Sequence, residues 1–565
     1  MGASMQEAAV EQGTSTGTTE FDVVDVIDVV VLGTGASGLT AALAAHDGGA
    51  SVAVFEKADD VGGTSAWSGG MVWIPLTDHE AELGIADTRD EVLTYLASLS
   101  HDMIDEKLAA AYVDTGPEMI RWLEANSPAT FRIVQGFPDY HPEHPGGKPG
   151  GGRSLECPLF PFDELGPWAA KVTVGPQIGR NIAMSETSLG RGAPGGVPVE
   201  EMKRRKIRDE RGAGQGLVGR LLKGCLERGI EPRTGAAATE LIVEDGRVVG
   251  VRFDSRSAPF EVRARRGVVL ATGGFEWNRD LVRSFVRGPM THPVSVPTNT
   301  GDGLRMAMRI GASLSNMPEA WWVPTIEVPI EGRGTIAWQV NGERTRPHCI
   351  MVNRRGRRFT NEAANYNALG EAFHVVDVST YEFVNHPAWM VFDRFYLDKY
   401  GLARLAPGTE APDWIVEAPT LTALADAIGV PPAELENTVA RWNDQAEAGD
   451  DPDFGRGRSA HDRWWGDPDF GSDVRATLGP IDSPPYFAVK VHSGALGTKG
   501  GPRTDGDARV LDLDGHPIVG LYAAGNVMGS VMGMTYGGAG GTLGPGMVFG
   551  FLAGRHAAGT VAARA

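Results

Sequence analysis

The stretch "DVIDVVVLGTGASGLTAALAAHDGGASVAVFEK", residues 25–57, decides the fold. It opens on a short run rich in β-branched residues, which reads as a strand buried on both faces of a parallel sheet. A helical segment follows and ends on a Gly-Gly pair, a C-cap signal. "SVAVFEK" then forms a second strand, so the whole is a βαβ unit. Its first connection spells GxGxxG at Gly33, Gly35 and Gly38. That motif is weak by itself. Here it follows a strand, opens a helix and meets Glu56 at the end of the next strand, eighteen residues after Gly38. This is the context of a dinucleotide site. The glycines let the helix N-terminus approach a pyrophosphate, and its free N–H groups bind the charge. Glu56 can accept the ribose hydroxyls, and an acid at this point argues against a 2′-phosphate.

The segments that come next favour FAD over NAD. "GGTSAWSGG" (62–70) is a second glycine-rich loop, which a long flavin cofactor needs and an NAD domain does not. "LATGG" (270–274) supplies a further backbone edge. "MTYGGAGGTLGPG" (534–546) gathers six glycines around one tyrosine. Gly540, Gly541 and Gly544 let main chain touch a flat ring. Pro545 then starts a helix whose positive end would sit near the flavin N1/O2 edge. The expected cofactor contacts are Gly33, Gly35, Ala36, Ser37, Gly38, Glu56, Lys57, Gly62, Gly63, Thr64, Ser65, Ser68, Gly69, Gly70, Ala237, Ala271, Thr272, Gly273, Gly274, Asp302, Gly525, Asn526, Gly541, Thr542 and Leu543.

Composition sets the outer bounds. A chain of 565 residues is too long for one hydrophobic core, so two large lobes are expected. A net charge of −20 argues against nucleic acid and anionic membrane surfaces as partners. Cys157, Cys225 and Cys349 form no CxxC, which disfavours a disulfide framework, and no metal site is expected. Residues 1–21 are polar, lack an apolar core and read as a disordered tail rather than a signal peptide. No apolar run approaches the ~20 residues that span a bilayer, so a cytoplasmic location with no membrane span is expected.

Further along, "DTRDEVLTYLASLS" places Val92, Leu93, Leu96 and Leu99 on one helical face. "DTGPEMIRWLEANS" suggests Thr115 as a cap with Pro117 in the first turn. Residues 138–200 are rich in Gly and Pro and read as loop. "GLVGRLLKGCLERG" (216–229) is an amphipathic helix, and "TELIVEDGRVVGVRFD" (239–254) is a hairpin around Asp-Gly. "LTALADAIGVPPAELENTVARWNDQAEAG" is two helices joined at 429–432, and strand character returns from 487. The expected fold class is α/β: a Rossmann-like FAD-binding domain built from 22–290 and 487–565, with an inserted α+β catalytic, substrate-capping domain at 291–486.

The quoted N-terminal unit, "RTDGDARVLDLDGHPIVGLYAAGN" and "GVPPAELENTVARWN" resemble the flavoproteins that include fumarate reductase and the 3-ketosteroid dehydrogenases. A narrower resemblance, to 3-ketosteroid Δ1-dehydrogenases, rests on "GGMVWIP" (69–75), "DYHPEHPGG" (139–147), "GRRFTNEAANY" (356–366), "LGTKGG" (496–501) and the tyrosine–glycine loop. It covers nearly the whole chain from about residue 25. The resemblance implies α,β-desaturation of a ketone. Tyr536 and the N–H of Gly540 would hold the carbonyl oxygen as an oxyanion hole. Tyr366 would remove the α-proton, and hydride would pass from the β-carbon to flavin N5. In the family a further tyrosine assists the base from a position directly before a proline. Here that position is His141, with Tyr140 beside it, and either could assist. The implied substrate is a 3-ketosteroid or related cyclic ketone, and the departure leaves room for a smaller cyclic ketone or a bulkier, more polar steroid. FAD would be non-covalent, since "SAWSGG" has no histidine where covalently flavinylated relatives carry one. Electrons would go to a quinone- or dye-like acceptor.

Two other readings compete. A fumarate- or urocanate-type reductase needs convergent cations, and "RTRPH" (344–348) and "RRGRR" (354–358) are the candidates, the second in a solvated hairpin-like turn. His492 is read as structural. Trp321 and Trp322 line an apolar pocket or belong to the core. The other competitor is a flavin-free binding module, which the several glycine-rich loops disfavour.

Overall fold

The computed structural model describes residues 22–192, 196–256 and 258–559. The expected tail, residues 1–21, lies outside them. The chain begins with β1 (Asp22–Leu32), α1 (Ala36–Asp47), β2 (Val52–Phe55) and α2 (Gly63–Trp67). It continues through α3 (Glu106–Asn126), α4 (Ala213–Glu227), β3 (Ala236–Glu244), β4 (Arg247–Ser255) and β5 (Phe260–Leu270). A second sheet follows: β6 (Ala320–Ile330), β7 (Gly334–Gln339), β8 (Cys349–Val352), α5 (Tyr366–Glu371), β9 (Ala388–Asp393), α6 (Leu421–Ile428), α7 (Pro432–Ala448) and β10 (Tyr486–Thr498). β11 (Arg509–Leu511), β12 (Pro517–Ala523) and α8 (Leu543–Ala557) return to the first sheet.

The first sheet runs β2-β1-β5-β12-β11, with β2, β1, β5 and β12 parallel and the β3–β4 hairpin attached to β5. Val29, Val30 and Val31 are fully buried, as a doubly covered strand requires. The hairpin turns at Asp245 and Gly246, both at positive φ, the geometry an Asp-Gly pair favours. α8 lies against α1. A Cβ at Gly546, Gly550 or Gly554 would come within 2.6 Å of Ser37 or Ala41, so glycine at these positions sets the close helix approach. The pairing brings the N-termini of both helices to the carboxyl ends of the parallel strands, where such sheets bind ligands.

The second sheet runs β7-β6-β10-β9-β8. β10 is its central strand: residues 486–491 pair with β9 and residues 492–498 with β6. The sequence had assigned this strand to the flavin domain. A buried apolar run identifies a strand but not the sheet it joins, and the return to the first sheet comes only at β11. A second correction concerns Thr115 and Pro117. Both lie inside α3, which starts at an Asp105 cap accepting from Lys107 and Leu108. Thr88 caps the preceding helix, Arg89–Leu99, as its Thr-x-x-Glu spacing suggests. Of its expected apolar face, Val92, Leu96 and Leu99 are buried and Leu93 is half-buried. The expected Gly429–Pro432 break separates α6 from α7.

Candidate active site

A cavity of about 1330 Å³ runs from the first sheet into the space beneath the second. A site for one drug-sized molecule is on the order of 300–1,000 Å³, so this one has room for a large cofactor and a second ligand. One end is mostly main chain: Gly33, Gly35, Ser37, Gly63, Thr64, Ser65, Ser68, Gly69, Gly70, Ala271, Thr272, Gly273, Gly525, Asn526, Thr542 and Leu543 all line it. Glu56, Lys57 and Asp302 line it too. Glu56 is anchored to the glycine loop: its Oε2 accepts from the Thr34 amide at 3.1 Å and the Thr34 hydroxyl at 2.6 Å. Lys57 is paired with Asp302 at 2.6 Å, so neither brings an isolated charge to the cavity.

Six expected contacts stand behind this surface instead. Ala36 is fully buried in the first turn of α1. Gly38 closes the loop, where a Cβ would meet the Gly33 carbonyl at 2.1 Å. Gly62 donates to the Thr34 hydroxyl. Ala237 faces away because strand alternation turns Ala236 and Ala238 inward. Gly274 packs on Glu276 and Thr498, and Gly541 packs beneath the Tyr536 ring.

At the other end three tyrosines converge from segments far apart in sequence. Tyr140 donates to the Tyr366 hydroxyl at 2.9 Å. The Tyr536 ring lies 5.5 Å from that of Tyr366 and 5.1 Å from that of Tyr140, centroid to centroid. All three line the cavity, as does Gly540. Gly540 has φ +101°, and a Cβ there would sit 2.6 Å from the Met71–Trp73 backbone, so only glycine fits. Its N–H has no protein partner among the described residues. The Tyr536 hydroxyl pairs with the Thr542 hydroxyl at 2.8 Å. With Thr542 as donor, the Tyr536 proton is free to point into the cavity. Burial pushes all three phenols above their ordinary value, Tyr366 and Tyr140 furthest.

His141 does not join them. Its Nε2 meets the Asn365 amide at 2.9 Å, and it is absent from the cavity wall. Asn365 also donates to the Tyr140 carbonyl and caps α5 through Ala368, so it fixes the first helical residue, Tyr366.

Sequence reasoning missed the buried charges that hold these segments. Glu362 binds Arg358 at 2.7 Å and Arg456 at 3.2 Å, and Asp451 also binds Arg358. Arg344 donates to the carbonyls of Val340, Glu362 and Ala364. This ties down the strip that ends at Tyr366 and corrects the expectation for "RRGRR": Arg354, Arg355 and Arg357 are exposed, but the Arg358 side chain is buried. The Tyr140 loop is held by Asp139, which accepts from Trp73 at 2.8 Å and Arg153 at 2.7 Å. Lys499, fully buried, donates to the carbonyls of Met534 and Thr535, the two residues before Tyr536. Trp321 packs edge-on against Tyr536 at 4.7 Å, while Trp322 is core. A basic or acidic residue inside a motif, such as the lysine of "LGTKGG", was the available signal.

A cavity edged by backbone amides, a ribose-ready glutamate and glycine loops fits FAD. The FAD binding domain family matches residues 28–543, and the chain belongs to that family of flavoproteins. Within it, the chain is 42% identical over 543 residues to 4-oxocyclohexanecarboxylate 2-dehydrogenase of Sinomonas cyclohexanicum, covering 95% of this chain and 93% of the relative. It is 41% identical over 566 residues to 3-oxosteroid 1-dehydrogenase of Mycobacterium tuberculosis, covering 95% and 99%. The crystal structure of 3-ketosteroid Δ1-dehydrogenase from Sterolibacterium denitrificans in complex with 1,4-androstadiene-3,17-dione is similar at TM-score 0.85 and 36% identity, over 95% of this chain and 100% of that one. No helix among the described residues is long and apolar enough to cross a membrane.

Proposed function

We propose that this flavoprotein desaturates a steroid-sized cyclic ketone between the α- and β-carbons, as a 3-oxosteroid 1-dehydrogenase does. The observation that carries this reading is the convergence of three buried phenols and one unpartnered backbone N–H on the cavity beside the cofactor cradle. The substrate oxygen sits between Tyr536 Oη and the Gly540 N–H. These two donors stabilise the enolate that forms as the α-proton leaves, an effect typically of about 3–4 kcal/mol per donor. Tyr366 takes that proton. Its phenol is a poor base in a dry site, and the Tyr140 hydroxyl offsets this by donating to the Tyr366 oxygen and stabilising the phenolate. FAD, when bound, supplies the two-electron oxidant for the β C–H bond. The electrons leave for a quinone- or dye-like acceptor. We assign the second sheet and its helices, about residues 291–486 together with β10, as the lobe that covers the substrate, and the cytoplasm as the working compartment. Three free, buried cysteines accord with that compartment.

The far wall supports a large apolar skeleton: Ile182, Met184, Leu189, Ile336, Trp338 and Leu402 line it. A second reading, a cyclic keto acid, is favoured by Arg346. This residue also lines the cavity, with one guanidinium nitrogen donating to the Gly466 carbonyl at 2.7 Å. Of the two arginines of "RTRPH" weighed for a dicarboxylate reductase, Arg344 is spent on backbone carbonyls, which leaves Arg346 alone of the pair at the cavity. The test is anaerobic mixing of the FAD-loaded protein with androst-4-ene-3,17-dione, 4-oxocyclohexanecarboxylate, cyclohexanone and, after reduction, fumarate. Fastest flavin bleaching by the steroid is expected. Bleaching by the keto acid alone would select the second reading, and reoxidation by fumarate alone would overturn both.

A further inference from the structure

Three strands bring two imidazoles and a carboxylate to one face of the second sheet, and the proposed reaction uses none of them. In the antiparallel pairing of β6 with β10, Thr325 lies opposite His492, so Glu327, two residues on, shares its face. A short strand, His292–Pro293, joins β10 in parallel with His292 opposite Gly494, two residues from His492 and again on that face. The result is a compact set of ligand atoms, all within 4.8 Å of one another. Glu327 Oε1 lies 3.4 Å from His292 Nε2, and Glu327 Oε2 lies 3.7 Å from His492 Nε2.

Two details separate this cluster from an ordinary surface ion pair. The His492 side chain is only 9% exposed, and its Nε2 is buried without a hydrogen-bond partner among the described residues. A buried nitrogen left in that state is destabilising unless a ligand satisfies it. His292 is oriented from behind. Its Nδ1 lies 2.7 Å from the Thr291 hydroxyl, whose own hydrogen goes to the Ser493 carbonyl. With that bond in place the Thr291 oxygen can accept from Nδ1–H, the tautomer that frees the Nε2 lone pair for an ion bound beside Glu327. Metal-binding histidines are held this way by their outer neighbours.

We propose that His292, Glu327 and His492 form a binding site for a divalent transition-metal ion of the Zn²⁺ class. Two bonds of about 2.1 Å at a tetrahedral angle span about 3.4 Å, close to the separations present. Two imidazoles and one carboxylate suit Zn²⁺ and its neighbours rather than Mg²⁺ or Ca²⁺, which prefer all-oxygen sets. Glu327 is 53% exposed, so an ion can enter from solvent and keep water in the remaining position. His292 lines the cavity wall, and the ion would tie that wall to the centre of the second sheet. His386, whose ring lies 6.2 Å from that of His492, is the nearest further imidazole in contact with it.

The test uses FAD-loaded protein stripped with a chelator and titrated with ZnCl₂. Bound zinc is measured calorimetrically and by elemental analysis, with flavin absorbance as the control for folding. One tight equivalent is expected in the wild type, weakened at least about tenfold in both His292→Gln and Glu327→Gln, with no uptake of MgCl₂ at the site. Zinc should also raise the thermal midpoint of the wild type and not that of the variants. Tight zinc that persists in both flavin-containing variants would place the ion elsewhere, for instance at the His141–Glu143–His144 cluster. Absence of tight zinc in the wild type would overturn the site outright.

Discussion

The two ends of the cavity are built from different materials. The cofactor end is mostly backbone: glycine loops, helix N-termini and one glutamate held by Thr34. The proposed ketone end is side chain: three phenols from residues 140, 366 and 536, with the Gly540 N–H beside them. A backbone cradle is fixed by the sheet itself. A side-chain cluster needs separate fastening for each member, and here that fastening is ionic and buried: Arg153–Asp139 behind Tyr140, Arg358–Glu362–Arg456 behind Tyr366, and Lys499 behind Tyr536. Substitutions at the ketone end should therefore change rate while leaving flavin in place.

The largest effect is expected for Tyr366→Phe, a loss of about 10²–10⁴ in turnover with an artificial acceptor and unchanged flavin content. Near-normal turnover would remove Tyr366 from the role of base. Next comes Tyr536→Phe, which should cost about 10²–10³ in kcat. A variant that keeps its rate but loses flavin would make Tyr536 part of the cofactor end.

Tyr140→Phe should cost about tenfold, and its pH profile is the sharper readout. Since burial raises the Tyr366 phenol, the phenolate is scarce at neutral pH, and kcat/KM should climb with pH by up to about tenfold per unit. Removing the Tyr140 hydroxyl should move that climb to higher pH, and an unmoved profile would deny it any part in stabilising the phenolate. The smallest effect belongs to His141→Ala: less than about threefold in kcat, because its ring contacts Asn365 rather than Tyr366. A large loss there, with Tyr140→Phe harmless, would reverse the choice between the two neighbours.

The same contrast explains what the sequence disclosed. GxGxxG, Glu56 and the later glycine loops were legible because a backbone cradle leaves its trace as spacing along one strand–helix unit. Tyr366 and Tyr536 were marked by motifs, and "DYHP" narrowed the proposed helper to two adjacent residues without deciding between them. The proposal favours Tyr140 because it lines the cavity with its hydroxyl on that of Tyr366, whereas His141 does not line it, a placement no local pattern records. The ion pairs of Glu362 and the carbonyl contacts of Lys499 join residues up to 94 positions apart, and no local pattern records them. β10 was misplaced for a related reason: its burial was readable and its partners were not.

The central claim is that Tyr366 takes the α-proton of a ketone held by Tyr536 and Gly540. It is tested most directly by reducing the bound flavin, adding androst-4-ene-3,17-dione in D₂O, and following deuterium entry at the carbons flanking the 3-oxo group by NMR. With oxidation blocked, exchange reports proton removal alone. Wild-type protein should exchange one flanking position stereospecifically, and Tyr366→Phe with equal flavin should not. Exchange at equal rates in both proteins would contradict the account.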